Sequence, residues 1–358
     1  MILLREARAR DLDAFERLGQ IPGMLNLSGD RDQISLRLER AEKSFRGKIS
    51  KKANRKYIFV AEDLETKKVV GTSLIAPQHG TPESPHFYFE VGSEQRFSQT
   101  IGTGFIHGTL ELKFNTDGPT EIGGLAVDLA SRNHPARVGR QISFVRFLFA
   151  GIHRTFFKNQ VLAELLPPLN KKGQSPLWEA VGRRFTNMDY LEADLLCSKN
   201  KEFILSLFPS EKIYTTFLPA EARNAIGKVG KDTEPVFHML KKIGFRYAHH
   251  VDPFDGGPHL IADFDQIAPI QGIRKISLDL KTFDTAGPIV ASGLICPQPA
   301  ARNPQEFRAI HVDLVGSDSS GYRIHALQGG ASDLSQVKDQ LGLSHGSTVC
   351  FMPYYSAS

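Results

Sequence analysis

The stretch Thr120–Phe157, TEIGGLAVDLASRNHPARVGRQISFVRFLFAGIHRTFF, reads as a buried strand, a basic loop and a long apolar helix in succession. A strand is predicted over 121–128. The adjacent Gly123 and Gly124 inside it signal a bulge or a close backbone approach, because glycine otherwise weakens a strand. The loop from Ser131 to Gly139 carries Arg132, His134 and Arg137. Beyond it, Ile142, Val145, Phe149, Ile152 and Phe156 recur at alternating spacings of three and four, one continuous buried helical stripe.

The N-terminus of that helix points back at the loop. Its unpaired N–H groups and the positive end of its dipole suit a pyrophosphate, with Arg137 and Arg140 adding charge. The other reading is an ordinary strand, loop and helix with solvated arginines, since one glycine loop is a weak signal.

At 358 residues and 41% hydrophobic content the chain can bury a large core and exceeds one typical domain. A net charge of +5, from 44 basic and 39 acidic side chains, does not indicate a nucleic-acid binder. Cysteine occurs only at Cys197, Cys296 and Cys350. With no Cys-x-x-Cys pair among them, they fit a reducing compartment and argue against a structural zinc site, so no metal is expected. The apolar run after Met1 is too short for a signal peptide, and no run of apolar residues is long enough to span a membrane. The reading is a cytoplasmic protein.

Leu3 to Leu18 reads as a strand and a helix, with Asp11 placed to cap the segment bearing Leu12, Phe15 and Leu18. A second helix is predicted from about Arg31, with Ile34, Leu38, Ala41 and Phe45 on one face, followed by a basic run from Arg46 to Lys56. Tyr57–Ala61 and Val69–Ile75 predict a hairpin, and His86–Val91 another strand. The layout is α+β with a mainly antiparallel sheet, which fits better than a doubly wound parallel one. Beyond Gly272 the alternation at Ile310, Val312 and Leu314, then Tyr322–Leu327 and Ser347–Met352, predicts a small β-rich module, with loops at Gly287-Pro288 and Pro297–Pro304.

A faint repeat links Ser175–Phe185 to Glu234–Phe245. Each copy reads as a proline-opened helix, a glycine stop and an aromatic strand residue, as two related half-domains would.

The bulged strand, loop and helix, with the helix-Gly-Phe ending, resemble the acyl-CoA N-acyltransferase superfamily. A closer resemblance, over residues 2 to 270, is to the arginine N-succinyltransferase family of bacterial arginine catabolism. It rests on Ser175-Pro176-Leu177-Trp178, Gly182-Arg183-Arg184-Phe185, Met188-Asp189, Ala193-Asp194, Ile213-Tyr214-Thr215, Gly244-Phe245-Arg246-Tyr247 and Asp252-x-Phe254-Asp255-Gly256-Gly257-Pro258. The resemblance implies two N-acyltransferase-like (GNAT) halves, residues 1–195 with the acyl-CoA site and 196–271, followed by the β-rich module at 272–358. It implies succinyl transfer from succinyl-CoA to the α-amine of arginine or a related amine such as ornithine. Homodimeric and hetero-oligomeric assembly both stay open.

The resemblance also implies that Leu125 contacts the acyl-CoA, with Leu125, Ala126 and Val127 offering main-chain amides to the thioester oxygen. The family loop Arg-x-x-Gly-x-Gly aligns with His134–Gly139, which keeps only Gly139 and places Arg137 at the first glycine. Arg137 reads either as a direct phosphate contact or as a solvated side chain. The family's proton-donor histidine falls at Gly230, a further family histidine falls at Thr216, and a family arginine at Leu166. With that histidine replaced, His238 and His249 are the candidate catalytic groups, and His250 lies beside them. Glu164, Asp252 and Asp255 are the candidate carboxylates for a cationic amine. Asp255, before two glycines, also reads as a plain turn former. A non-catalytic acyl-CoA-binding paralogue or partner subunit is the second functional reading.

Overall fold

The computed structural model describes residues 1–21, 30–170, 172–197, 200–284, 287–298, 306–317, 321–325 and 334–355. The chain divides into two compact units, each discontinuous in sequence. One is Met1–Pro77, Ile122–Lys158 and Phe264–Ser358; the other is Gln78–Glu121 and Asn159–Asp263. Linear boundaries at 195 and 271 do not follow these units.

Strands are numbered in chain order through both units. The first unit holds β1 (Ile2–Glu6), β2 (Tyr57–Asp63), β3 (Lys68–Ala76), β6 (Thr120–Val127, from Ile122 onward), β11 (Arg274–Asp284), β12 (Ala291–Pro297), β13 (Arg308–Ser317), β14 (Gly321–His325) and β15 (Thr348–Pro353). They lie in the order β12-β15-β11-β14-β13-β1-β2-β3-β6, and β12 also pairs with β13. The five C-terminal strands therefore close on themselves, with β11 and β14 parallel and the other contacts antiparallel. Ile276, Leu278 and Leu280, alternating along β11, meet Ile310, Val312, Leu314, Val349 and Phe351 in the interior.

The expected β-rich tail is present, but it is not a separate body. β13 pairs with β1, Leu3 lies opposite Ile310, and Met1 and Leu3 complete the same core. A first strand that finishes the core of the last segment explains why no cut at 271 gives a compact piece. The loop expected over 297–304 lies, from residue 299, outside the described residues, as do Ala326 and Leu327.

The β2–β3 hairpin forms as expected, with Ile58 opposite Leu74 and Val60 opposite Thr72. Helices α1 (Leu12–Gly19) and α2 (Arg31–Phe45) cover it, placing Phe15, Leu18, Ile34, Leu38 and Ala41 against Ile58, Val60 and Ala126. Asp11 does not cap α1 with its side chain. Its carboxylate instead takes two 2.8 Å hydrogen bonds from the buried Arg5 guanidinium. A buried guanidinium requires such a partner, and that demand outweighs a cap worth about 1 kcal/mol. Helix α3 (Val138–Ile152) is buried on nearly every side, and Phe149 packs at 5.3 Å from Phe45 and 5.4 Å from Phe59. It ends sooner than the apolar stripe suggests, because Phe156 belongs to a following 3-10 turn.

The second unit holds β4 (His86–Ser98), β5 (Thr103–Asn115), β7 (Gln160–Glu164), β8 (Ile213–Tyr214), β9 (Arg246–Val251) and β10 (Pro258–Asp263), in the antiparallel order β7-β10-β9-β4-β5-β8. Around them run α4 (Pro176–Ala180), α5 (Gly182–Thr186), α6 (Tyr190–Cys197), α7 (Glu202–Leu207), α8 (Ala220–Ala225) and α9 (Glu234–Lys242). The second repeat copy folds as read: α9, then Gly244 at φ 110°, then β9. The first does not. Gly182 opens α5, which contains Phe185, and a Cβ on Gly182 would lie 2.2 Å from the Trp178 ring. That glycine serves close packing, so the two segments share a pattern without sharing a structure.

Among the described residues no helix is long and apolar enough to cross a membrane.

Candidate functional site

The first unit carries the candidate cofactor shelf. Within β6, Gly124 takes φ 55°, and a Cβ there would come within 2.9 Å of Leu74, so both its conformation and its surroundings require glycine. The strand kinks there, just before Leu125. Ala126 is buried, while Leu125 and Val127 are partly exposed. Arg146, on α3, is buried and braces this strand from behind: its guanidinium donates to the Gly123 carbonyl at 3.4 Å and to the Ser143 hydroxyl at 2.7 Å. Burial brings this guanidinium down to about 9. The sequence reading missed Arg146 because it interrupts no apolar stripe position.

Arg137 is the N-cap of α3 and has φ 50°, ψ 56°. This is the left-handed region that glycine prefers, so the loop keeps a glycine-like bend while carrying an arginine. Arg137 is exposed, and Gly139 follows in the first turn. Arg140 points elsewhere, its guanidinium 4.3 Å from the centre of the Tyr354 ring. The cradle conformation thus fits a phosphate group, with Arg137 as its exposed cation. Relief of left-handed strain predicts that Arg137→Gly will gain about 1 kcal/mol of stability. Loss of a charge-assisted phosphate contact predicts a roughly tenfold higher KM for the acyl donor. Thermal melting and steady-state kinetics check the two effects separately.

The second unit holds a buried cluster of histidines and carboxylates. Glu164, at the end of β7, has its Oε1 2.9 Å from His86 Nε2, 3.6 Å from His259 Nε2 and 3.8 Å from His79 Nε2. His79 Nδ1 lies 2.8 Å from Glu121 Oε2. Antiparallel pairing sets His259 of β10 opposite Glu164 of β7, and the His86 ring stacks on that of His259 at 5.4 Å. Burial alone would raise the Glu164 carboxyl, but the imidazoles, His259 foremost, hold it well below the usual carboxylate range. Burial lowers His259 to about 4 and pushes His86 down as well. His79 moves the other way: Glu121 and Glu164 overcome burial and raise it.

Three imidazoles thus surround the Glu164 carboxylate. Asp252 and Asp255 shape their own loop. Asp252 Oδ1 accepts from Phe254 N at 2.7 Å and from Asp255 N at 3.2 Å; Asp255 Oδ1 accepts from Gly257 N at 2.7 Å. Burial, reinforced by Glu164, pushes Asp252 up to about 7, and burial with Asp252 raises Asp255 further. The turn-forming reading of Asp255 is realised.

His238 and His249 are exposed and separately placed. His238, on α9, meets Glu234 at 3.7 Å, and His249 sits at φ 58° in an irregular part of β9 with its ring 5.0 Å from Tyr247. Gly230 is tightly packed: its N–H donates to Leu166 O at 2.9 Å, and a Cβ would lie 2.9 Å from Pro167 O. A side chain at 230 requires the main chain to shift.

Residues 2–269 match the family described as arginine N-succinyltransferase beta subunit. Over 281 residues the chain is 34% identical to the arginine N-succinyltransferases of Escherichia coli O1:K1 / APEC and Shigella dysenteriae serotype 1 (strain Sd197), covering 78% of this chain and 80% of each relative. The solved structure of arginine/ornithine succinyltransferase subunit AI from Pseudomonas aeruginosa aligns with a TM-score of 0.81 at 25% identity, covering 99% of both chains. Descent and fold together define an acyl-group transferase. The chain belongs to the arginine N-succinyltransferase family.

Proposed function

We propose that the chain transfers a succinyl group from succinyl-CoA to the α-amine of arginine or ornithine. The observation that carries this reading is the pair of glycine-type bends, at Gly124 and Arg137, that bracket the strand end and the start of α3. In this reading the main-chain amides of Leu125, Ala126 and Val127 face the thioester oxygen as charge develops on it. Arg137 and the first-turn amides, Gly139 included, hold the diphosphate.

An α-amine with a reference pKa near 8 is partly neutral at working pH, so attack on the thioester needs only a modest proton acceptor. Transfer is proposed to proceed without a histidine at position 230. Neither exposed imidazole is held by a partner that would aim it. His238→Ala and His249→Ala are each expected to retain most of kcat, well short of the roughly hundredfold loss that removal of a general base brings. Steady-state CoA release with each variant measures this, and a hundredfold loss in either one would restore that histidine as the base. The overall reading is tested by following thiol release from succinyl-CoA with arginine and with ornithine as acceptors.

A further inference from the structure

Three imidazole nitrogens in the second unit converge on a single carboxylate oxygen. His86, His259 and His79 place their Nε2 atoms 2.9, 3.6 and 3.8 Å from Glu164 Oε1. The ligand atoms of His79, His86 and Glu164 all lie within 4.8 Å of one another, close enough for three donors to meet around one cation about 2.0–2.1 Å from each. Both ring nitrogens of His259, which is fully buried, have no hydrogen-bond partner among the described protein groups. A buried network that served only to hold the fold would satisfy those atoms.

The environment supports the same assignment. His79 presents Nε2 to the cluster because its Nδ1 lies 2.8 Å from Glu121, the carboxylate-histidine arrangement that fixes a ligating tautomer. Asp252 lies with Glu164 and His259 in a second group whose donor atoms are within 4.8 Å of one another, sharing only Glu164 with the first. The Lys201 ammonium donates to the Pro85 carbonyl at 3.2 Å and, among the described residues, bonds to none of these carboxylates. Imidazole nitrogens together with a carboxylate oxygen are a donor set preferred by borderline divalent metals.

We propose that His79 and His86, through their imidazoles, and Glu164, through Oε1, bind one divalent first-row transition cation of the zinc class, with the buried His259 packed against the site. This reverses the expectation of no metal, which rested on cysteine spacing alone. The site stands apart from the acyl-transfer reading, and its test reads binding instead of turnover.

Untagged full-length protein, stripped with chelator, is titrated with Zn2+ by calorimetry and with Co2+ by absorption. The expected result is one ion per chain and the intense visible bands of four-coordinate Co2+. Glu164→Gln and His86→Ala should each abolish stoichiometric binding. The more accessible His79→Ala, and Glu121→Gln behind it, should weaken it, the latter by about 10–100-fold. His345→Ala, at an exposed site in the other unit, should leave it unchanged. Circular dichroism selects the variants that fold, and His79→Ala alone decides the matter if the more buried substitutions do not. Absence of stoichiometric binding in the parent protein, or binding unaltered in every folded cluster variant, overturns the assignment.

Discussion

Leu125→Pro is expected to abolish CoA release while the folded chain still binds CoA. Proline removes the main-chain N–H at the position where β6 leaves its bulge, and that N–H is assigned to the thioester oxygen. Loss of one preorganised donor of this kind costs about a hundred- to a thousandfold in kcat. Leu125→Ala keeps the N–H and removes only side-chain contact, so it should lose far less and raise KM more than it lowers kcat. The contrast between the two separates a main-chain role from a packing role. Equal losses in both would show that the side chain, not the amide, is what matters. Retained binding of CoA by the proline variant, measured by calorimetry, would show that the α3 cradle survives the change.

Trp178→Ala is expected to be the most destabilising of the core changes, costing about 4 kcal/mol. Trp178 is fully buried in α4, stacks face to face on Phe254 at 4.8 Å and 2°, and donates from Nε1 to Met188 O at 2.9 Å. Its own position is fixed by Ser175, whose hydroxyl accepts from Trp178 N at 3.0 Å. Because Phe254 lies between Asp252 and Asp255, loss of the stack should loosen the acidic loop as well as the core. Chemical denaturation gives the stability change. Hydrogen exchange over residues 252–257 should report faster opening than in Trp178→Phe, which keeps a stacking ring. A loss under 1 kcal/mol, or unchanged exchange in that loop, would contradict this account of how the loop is held.

How far the sequence disclosed this molecule depends on which physical signal each part uses. The strand-bulge-helix segment was legible because it is local: paired glycines and a helical apolar stripe sit within one stretch, and β6 and α3 fall within a residue or two of the expected strand and helix start. The positive φ at Arg137 was not legible from an arginine, although the family's glycine at the aligned position points to it. β5 escaped notice because Phe105 and Ile106, adjacent and both exposed, break the inward-outward alternation that marks a half-buried strand. The division into units was invisible for a different reason: β1 finds its partner in β13, a pairing over nearly the whole chain that no local pattern records.

The candidate sites divide along the same line. Leu125, Arg137 and Gly139 lie on consecutive elements, and the family resemblance together with the helix start pointed to them. His79, His86 and His259 come from three distant stretches, and only the pairing of β7 with β10, beside the start of β4, brings them to Glu164. Glu164 entered as a candidate carboxylate for a cationic amine, and nothing in its local sequence announced the three imidazoles around it. His238 and His249, chosen because they lie in the expected half, prove exposed, since sequence position alone does not indicate which side of α9 or β9 faces inward.

The central claim is acyl transfer from a CoA thioester to an amino acid α-amine. Its most direct measurement is thiol release by the purified full-length chain supplied with succinyl-CoA and a panel of amines that includes arginine, ornithine and lysine. The account predicts CoA release that depends on arginine or ornithine and yields the N-succinyl product by mass spectrometry. Measurable binding of succinyl-CoA with no release above background for any amine would contradict it and leave the chain a CoA-binding partner without catalytic activity.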